Sequence, residues 1–171
     1  ENPPFYWNEE SAQNIVDWFF MLRHSKGVLA GNPIALTGWQ KFMICQIYGW
    51  KRPDGLRRFK KSFCEVGRKN SKSQIESGIS LYEISVTASK NGEMAEVYTA
   101  GTKRDQSKIV FSECANMLKG SPLRVKFKVG RDQIKHIKTG SFIRPLSKED
   151  GRKGDGTNPA LLVLDRHTCR G

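Results

Sequence analysis

The sequence has no long apolar run. A run such as Ala160-Leu161-Leu162-Val163-Leu164, which none exceeds in length, falls far short of the roughly 20 residues that a helical membrane span needs. Cysteines are few: Cys45, Cys64, Cys114 and Cys169 lie far apart, with no Cys-x-x-Cys pair. That excludes a disulfide-framed scaffold and a zinc module of ordinary spacing, so reduced thiols in an intracellular protein are expected. No basic-then-apolar leader opens the sequence, and nothing in it marks the chain for secretion. Low-complexity tracts and internal repeats are absent too. What is present is an ordinary globular composition, 37% hydrophobic and 10% aromatic, which excludes global disorder. Its 171 residues suit one α/β domain.

Acidic residues are in the minority, 17 against 29 Lys and Arg, for a net charge of +12. The excess is not spread evenly. Residues 51–72 carry nine basic and two acidic side chains, and residues 124–153 carry ten and three. Elsewhere the charges nearly cancel. Two basic blocks on a neutral body point to a polyanion partner, and a solubilising surface is the plainer alternative.

Along the chain, 8–23 reads as a helix: Asn8 suits the cap, Glu9 and Glu10 the first turn, and Ile15, Val16, Phe19 and Phe20 recur at helical spacing. Residues 36–50 form a second helical stretch, with Trp39, Phe42, Met43, Gln46 and Ile47 on and beside one face. Pro53-Asp54-Gly55 is a turn. A strand is expected over 59–66, then a polar loop and a helix over 72–89. A strand over 95–100 and a helix over 105–118 follow, ended by Gly120-Ser121-Pro122. Segments 125–129, 133–137 and 141–144 suggest a small antiparallel meander. Residues 148–158 show no periodicity and read as a loop. The apolar run ending in Asp165 has the look of a parallel strand buried on both faces. The order of elements predicts an α/β fold of P-loop NTPase type, mostly parallel, flanked by helices.

The chemistry concentrates in Cys64-Glu65-Val66-Gly67-Arg68-Lys69-Asn70-Ser71-Lys72-Ser73-Gln74. A loop that feeds Lys-Ser at a helix start is what phosphate binding needs, because the first helical N–H groups and the positive dipole end face the anion. A lysine there reaches the outer phosphates, and the next hydroxyl ligates magnesium. The literal phosphate-loop pattern is not met: Val66 and Ser71 stand where glycines belong. Some ninety residues downstream, Asp165 closes an apolar strand, the usual setting for a magnesium-holding acid. Upstream, Trp39-Gln40 offers an aromatic wall and an amide for a base, or simply a core anchor.

Taken together and in order, Trp39-Gln40, Phe59-Lys60-Lys61-Ser62-Phe63-Cys64, Arg68-Lys69-Asn70-x-Lys72-Ser73, Thr99-x-x-Thr102-x-Arg104-Asp105-Gln106 and Leu162-Val163-Leu164-Asp165 resemble the ATPase domain of the tailed-phage terminase large subunit. His24-Ser25-Lys26-Gly27, Tyr48-Gly49-Trp50-Lys51-Arg52 and Arg144-Pro145-Leu146-Ser147 support the resemblance, which runs from Phe19 onward. It implies an ATP- and magnesium-dependent motor that drives double-stranded DNA into a capsid from the cytoplasm of the bacterial host. The implied partners are other copies of itself in a ring, the phage portal and the small terminase subunit, with no membrane. Implied catalytic residues are Arg68, Lys72 and Asp165, with Ser73 and Asp165 at the metal. Nucleotide contacts would come from Trp39, Gln40, Arg68, Lys69, Asn70, Ser71, Lys72 and Ser73. The basic blocks would supply DNA contacts through Lys51, Arg52, Arg57, Arg58, Lys60, Lys61, Lys126, Lys128, Arg131, Lys135 and Lys138. The expected organisation is one ATPase domain over 1–171, with a helical part over 1–55, a P-loop core over 56–171, and no nuclease domain.

Two positions depart from the family's pattern. Glycine is usual where Ser71 stands, and a positive φ there would cost a serine roughly 1–2 kcal/mol. The residue after the metal-binding acid is usually Glu, the base that orients water, whereas here it is Arg166. Weak or absent hydrolysis is therefore expected. Two other readings remain open at this stage: a non-hydrolysing DNA-binding remnant of a prophage, and a different, helicase-like P-loop NTPase.

Overall fold

The computed structural model describes residues 4–67, 69–101, 104–146 and 159–165. Helix α1 (Glu9–Met21) begins at Asn8, whose side-chain oxygen accepts from Ser11 N–H at 2.7 Å, so the expected cap forms. Its Ile15, Trp18 and Phe19 are buried. Helix α2 (Gly38–Gly49) buries Gln40, Ile44 and Tyr48, one residue round from the expected face; Trp39 and Phe42 point outward. Short strands β1 (Tyr6–Trp7) and β2 (Trp50–Lys51) pair antiparallel and tie the ends of this helical pair together. A Cβ at Gly49 would collide with the Trp7 ring, so only glycine lets these segments meet.

Helix α3 (Lys72–Tyr82) runs through a π-helical turn, Glu83–Thr87, into α4 (Ala88–Asn91), which Gly92 ends at φ 69°. Within that turn Ser85 Oγ donates back to Leu81 O at 2.6 Å, a backbone-competing bond of the kind that bends helices. Strand β3 (Glu96–Gly101) leads to α5 (Arg104–Leu118). A 3₁₀ turn, Pro122–Lys126, precedes β4 (Phe127–Val129), β5 (Ile134–His136) and β6 (Phe142–Pro145), and β7 (Leu161–Asp165) follows.

One sheet in the order β4-β5-β6-β3-β7 results. β4, β5 and β6 are antiparallel neighbours, while β3 pairs parallel with both β6 and β7. The expected meander therefore forms, but as an extension of the main sheet, which is mixed. α3 and α5 cover the face that carries Val97, Thr99, Ile143 and Val163. A Cβ on Gly78 of α3 would strike Phe19, and Trp18 Nε1 donates to Gly78 O at 3.0 Å, locking α1 onto α3.

One strand expectation fails, and another is met in pairing but not in burial. Residues 59–66 form no ladder: they run as an exposed irregular segment with Phe63 90% accessible. A strand needs a hydrogen-bonding neighbour, and among the described residues this segment has none. β7 forms parallel to β3 as expected, but among the described residues only one of its faces is covered; Leu162 and Leu164 are 47% and 67% exposed while Val163 is buried. Residues 148–158 lie outside the described residues. Among the described residues no helix is long and apolar enough to cross a membrane.

Candidate functional site

The loop before α3 carries two left-handed residues, Lys69 at φ 70° and Ser71 at φ 56°. Asn70 Nδ2 donates to Gly67 O at 3.0 Å and closes the turn between them. Ser71 is the N-cap of α3 yet gives no side-chain cap bond, and the helix has no acid in its first turn. A first turn without a competing carboxylate or capping hydroxyl suits an anion. Lys72 and Ser73 open this helix. It packs against β7, whose last residue, Asp165, is in register with Gly101 at the end of β3. The helix start and the carboxyl ends of two parallel strands thus belong to one packed unit. Crevices at such strand ends are where open α/β sheets bind ligands.

Neighbouring elements hold this unit. Gln74, in the first turn of α3, meets His24 Nδ1 at 3.1 Å, and Ser25 donates to the buried Glu113 of α5. The loop after α1 is thereby stitched to both helices. Thr99 Oγ1 donates to Ser107 O at 2.7 Å and binds the end of β3 to α5.

The terminase large subunit ATPase-domain family matches residues 38–169. The chain belongs to that family. The crystal structure of the HK97 bacteriophage large terminase superposes with a TM-score of 0.67 at 17% identity, over 90% of this chain and 37% of that one. At that identity the likeness is one of fold, and this chain spans about 37% of the HK97 protein's length. No curated protein sequence matches.

Against the terminase expectations, Gln40 is buried, and its Oε1 accepts from Thr37 N–H at 2.9 Å at the start of α2. That oxygen serves the helix, so only the amide NH₂ remains to meet a base. Trp39 is 39% exposed and is no core anchor. Lys69, Asn70 and Ser71 are exposed in the loop, while Lys72 and Ser73 are half-buried. Arg68 and Arg166 lie outside the described residues, as do Thr102, Glu149, Asp150, His167 and Cys169. For Asp165 the backbone position alone is described.

The first basic block splits in the structure. Arg57 pairs with Glu83 Oε1 and Oε2 at 3.0 and 3.3 Å, and its guanidinium lies 5.1 Å above the Tyr48 ring. Arg52 pairs with Asp54 at 2.6 Å. Arg58 sits over Phe5, Trp50 and Phe59 at 4.2–5.7 Å. Lys51 is half-buried, and burial, followed by the nearby Arg57 and Lys90, holds its amine below the ordinary lysine range. Lys60 and Lys61 are exposed on the irregular segment. In the second block, Lys128 and Lys135 face each other across β4 and β5, both exposed, with Arg131 in the connecting turn. Directly opposed like charges destabilise a ladder, a cost a bound polyanion would remove.

Sequence reasoning missed the cluster around Glu83. This carboxylate is 1% exposed and accepts from Tyr48, Arg57 and Thr87. The signal was there: an acid in the apolar helical run Leu81-Tyr82-Glu83-Ile84 needs a partner, since buried carboxylates are rarely unpaired. Burial and the adjacent Glu83 push the Tyr48 phenol well up and that of Tyr82 up to about 12, so both stay neutral and Tyr48 remains a donor to Glu83.

Proposed function

We propose that this chain binds ATP with magnesium at the start of α3 and acts as the ATPase domain of a phage DNA-packaging motor. The observation that carries this reading is the packing of the Lys72-Ser73 helix against the strand that ends in Asp165. The uncapped, acid-free first turn fits a triphosphate. Bound Mg-ATP supplies the phosphoryl group to be transferred. Lys72 would hold the outer phosphates, Ser73 and Asp165 the metal, and Arg68 the developing charge on the γ-phosphoryl oxygens, where a planar guanidinium is most effective. Trp39 and the amide NH₂ of Gln40 would border the base.

Duplex DNA would lie along Lys128, Arg131 and Lys135, with Lys60, Lys61 and Arg58 as a second contact. Arg57 is excluded, because its guanidinium neutralises Glu83. The whole motor would work as a ring in the host cytoplasm with portal and small subunit; this chain is its single ATPase domain, residues 1–171. Arg166 cannot accept a proton, and loss of a general base costs about 10²–10⁴ in rate. Turnover by the chain as it stands is negligible on this account. A DNA-binding remnant that does not hydrolyse ATP is the second reading, favoured by Arg166.

Steady-state ATP turnover tests both, with and without duplex DNA, over a range of protein concentrations. Arg166→Glu should gain measurable, DNA-stimulated activity. No gain at any concentration favours the remnant, and wild-type turnover near one per second would refute the role given to Arg166.

A further inference from the structure

A groove of about 580 Å³ lies away from the α3 start, between the π-helical turn and the segments that flank the β4–β5 hairpin. Its lining has two characters. Val86, Val125 and Ile137 form an apolar strip, and Lys90, Lys126 and Lys138 surround it. Among the described residues no carboxylate contributes to the lining. Val125 and Ile137 are 78% and 62% exposed, large aliphatic side chains held open to solvent beside three lysines.

The fold imposes this arrangement. Ile137 N–H donates to Lys126 O at 2.9 Å, which sets residues 125–126 and 137–138 side by side just beyond the last β4–β5 pair, Phe127 and His136. Phe127 and His136 turn inward, so their neighbours turn outward. The π-helical turn supplies the opposite wall, and such turns often mark functional sites. It is anchored there by Thr139 Oγ1, which donates to Ile84 O at 2.9 Å. The local field is positive: burial and then Lys126 and Lys138 hold His136 below the usual imidazole range. Glu83, the nearest buried acid, is already neutralised by Arg57.

We propose that this groove is a docking site for an acidic peptide segment of a partner protein, one in which carboxylates alternate with aliphatic side chains. Charge complementarity selects the acid, and the aliphatic strip selects against a bare phosphate backbone, which has nothing to bury there. The inference is independent of the nucleotide site.

Fluorescence anisotropy with a short labelled peptide of alternating Asp or Glu and Leu tests it. The comparison ligands are the same peptide with Leu replaced by Ser, the same peptide with its acids replaced by amides, and a labelled duplex DNA. The full chain should bind the first peptide at least tenfold more tightly than either altered peptide. Lys126→Glu with Lys138→Glu, and separately Val125→Ser with Ile137→Ser, should each weaken it tenfold or more; all four side chains are exposed, so the fold survives. Lys72→Ala should leave peptide affinity unchanged. Equal binding of the Leu-to-Ser peptide would reduce the groove to diffuse charge and overturn the proposal. Loss of DNA affinity, rather than peptide affinity, in the Val125→Ser, Ile137→Ser protein would assign the groove to nucleic acid and overturn it as well.

Discussion

Removing Arg57 while leaving Glu83 in place leaves a deeply buried carboxylate without its cation. The Glu83 side chain is 2% accessible, and Arg57 contributes the one cation that pairs with it among the described residues. Breaking a buried pair from one side typically costs about 3–5 kcal/mol, because an uncompensated charge stays behind. Arg57 keeps 28% of its side-chain surface in water, so solvent can partly replace it, and Tyr48 and Thr87 still donate to the carboxylate. The low end applies: Arg57→Ala should cost about 3 kcal/mol, roughly two orders of magnitude in the unfolding equilibrium. In a chain of this size that is a fall of about 6–12 °C in Tm. Urea unfolding followed by tryptophan fluorescence measures it. Adding Glu83→Gln to Arg57→Ala should recover part of the loss, since an amide is far cheaper to bury than an unpaired carboxylate. The exposed Arg52–Asp54 pair provides the control, and Arg52→Ala should cost less than about 1 kcal/mol. If Arg57→Ala costs no more than Arg52→Ala, the account of Glu83 as a charge dependent on Arg57 is wrong.

Other outcomes are equally checkable. Ser71→Gly should stabilise the chain by about 1 kcal/mol in thermal unfolding, with little change in nucleotide affinity, because the left-handed turn exists without ligand. Gly78→Ala should destabilise by about 1–3 kcal/mol or more through its collision with Phe19, measured in the same denaturation series. His136, held below its usual pKa of 6.5 by burial and by Lys126 and Lys138, contributes stability that is complete above pH 6.5 and lost as pH falls below it toward the lowered folded value; His136→Gln should flatten that part of the stability–pH curve. Duplex-DNA affinity should fall with salt at a log–log slope of about 0.9 per phosphate contacted, independent of sequence, and Lys128→Ala with Lys135→Ala should make the slope shallower.

The helices were legible because each carried two agreeing signals. α1 has both an Asn cap and a helical apolar period, and α5 has Val110, Cys114 and Leu118 in register, all buried. Strands were read less well. The apolar run in β7 suggested cover on both faces, yet strand periodicity reports what the residues tolerate, and only packing decides which face is met. At 59–66 the expected strand has no ladder partner among the described residues. The strain at Ser71 was readable, since glycine is usual at that position of the loop in the resembling family and Ser71 does take a positive φ of 56°. The Glu83 cluster joins residues 26 and 35 positions apart, and the groove joins the π-helical turn to a distant hairpin. Such pairings come from tertiary packing, on which local sequence is silent.

The central claim is that nucleotide binds where α3 begins. It is tested most directly by the melting temperature of the chain with and without Mg-ATP, in wild type and Lys72→Ala. Ligand that binds only the folded state raises Tm by mass action. The account predicts a concentration-dependent rise in wild type and none in Lys72→Ala, each measured against its own unliganded Tm. A wild-type rise that Lys72→Ala retains in full would contradict it.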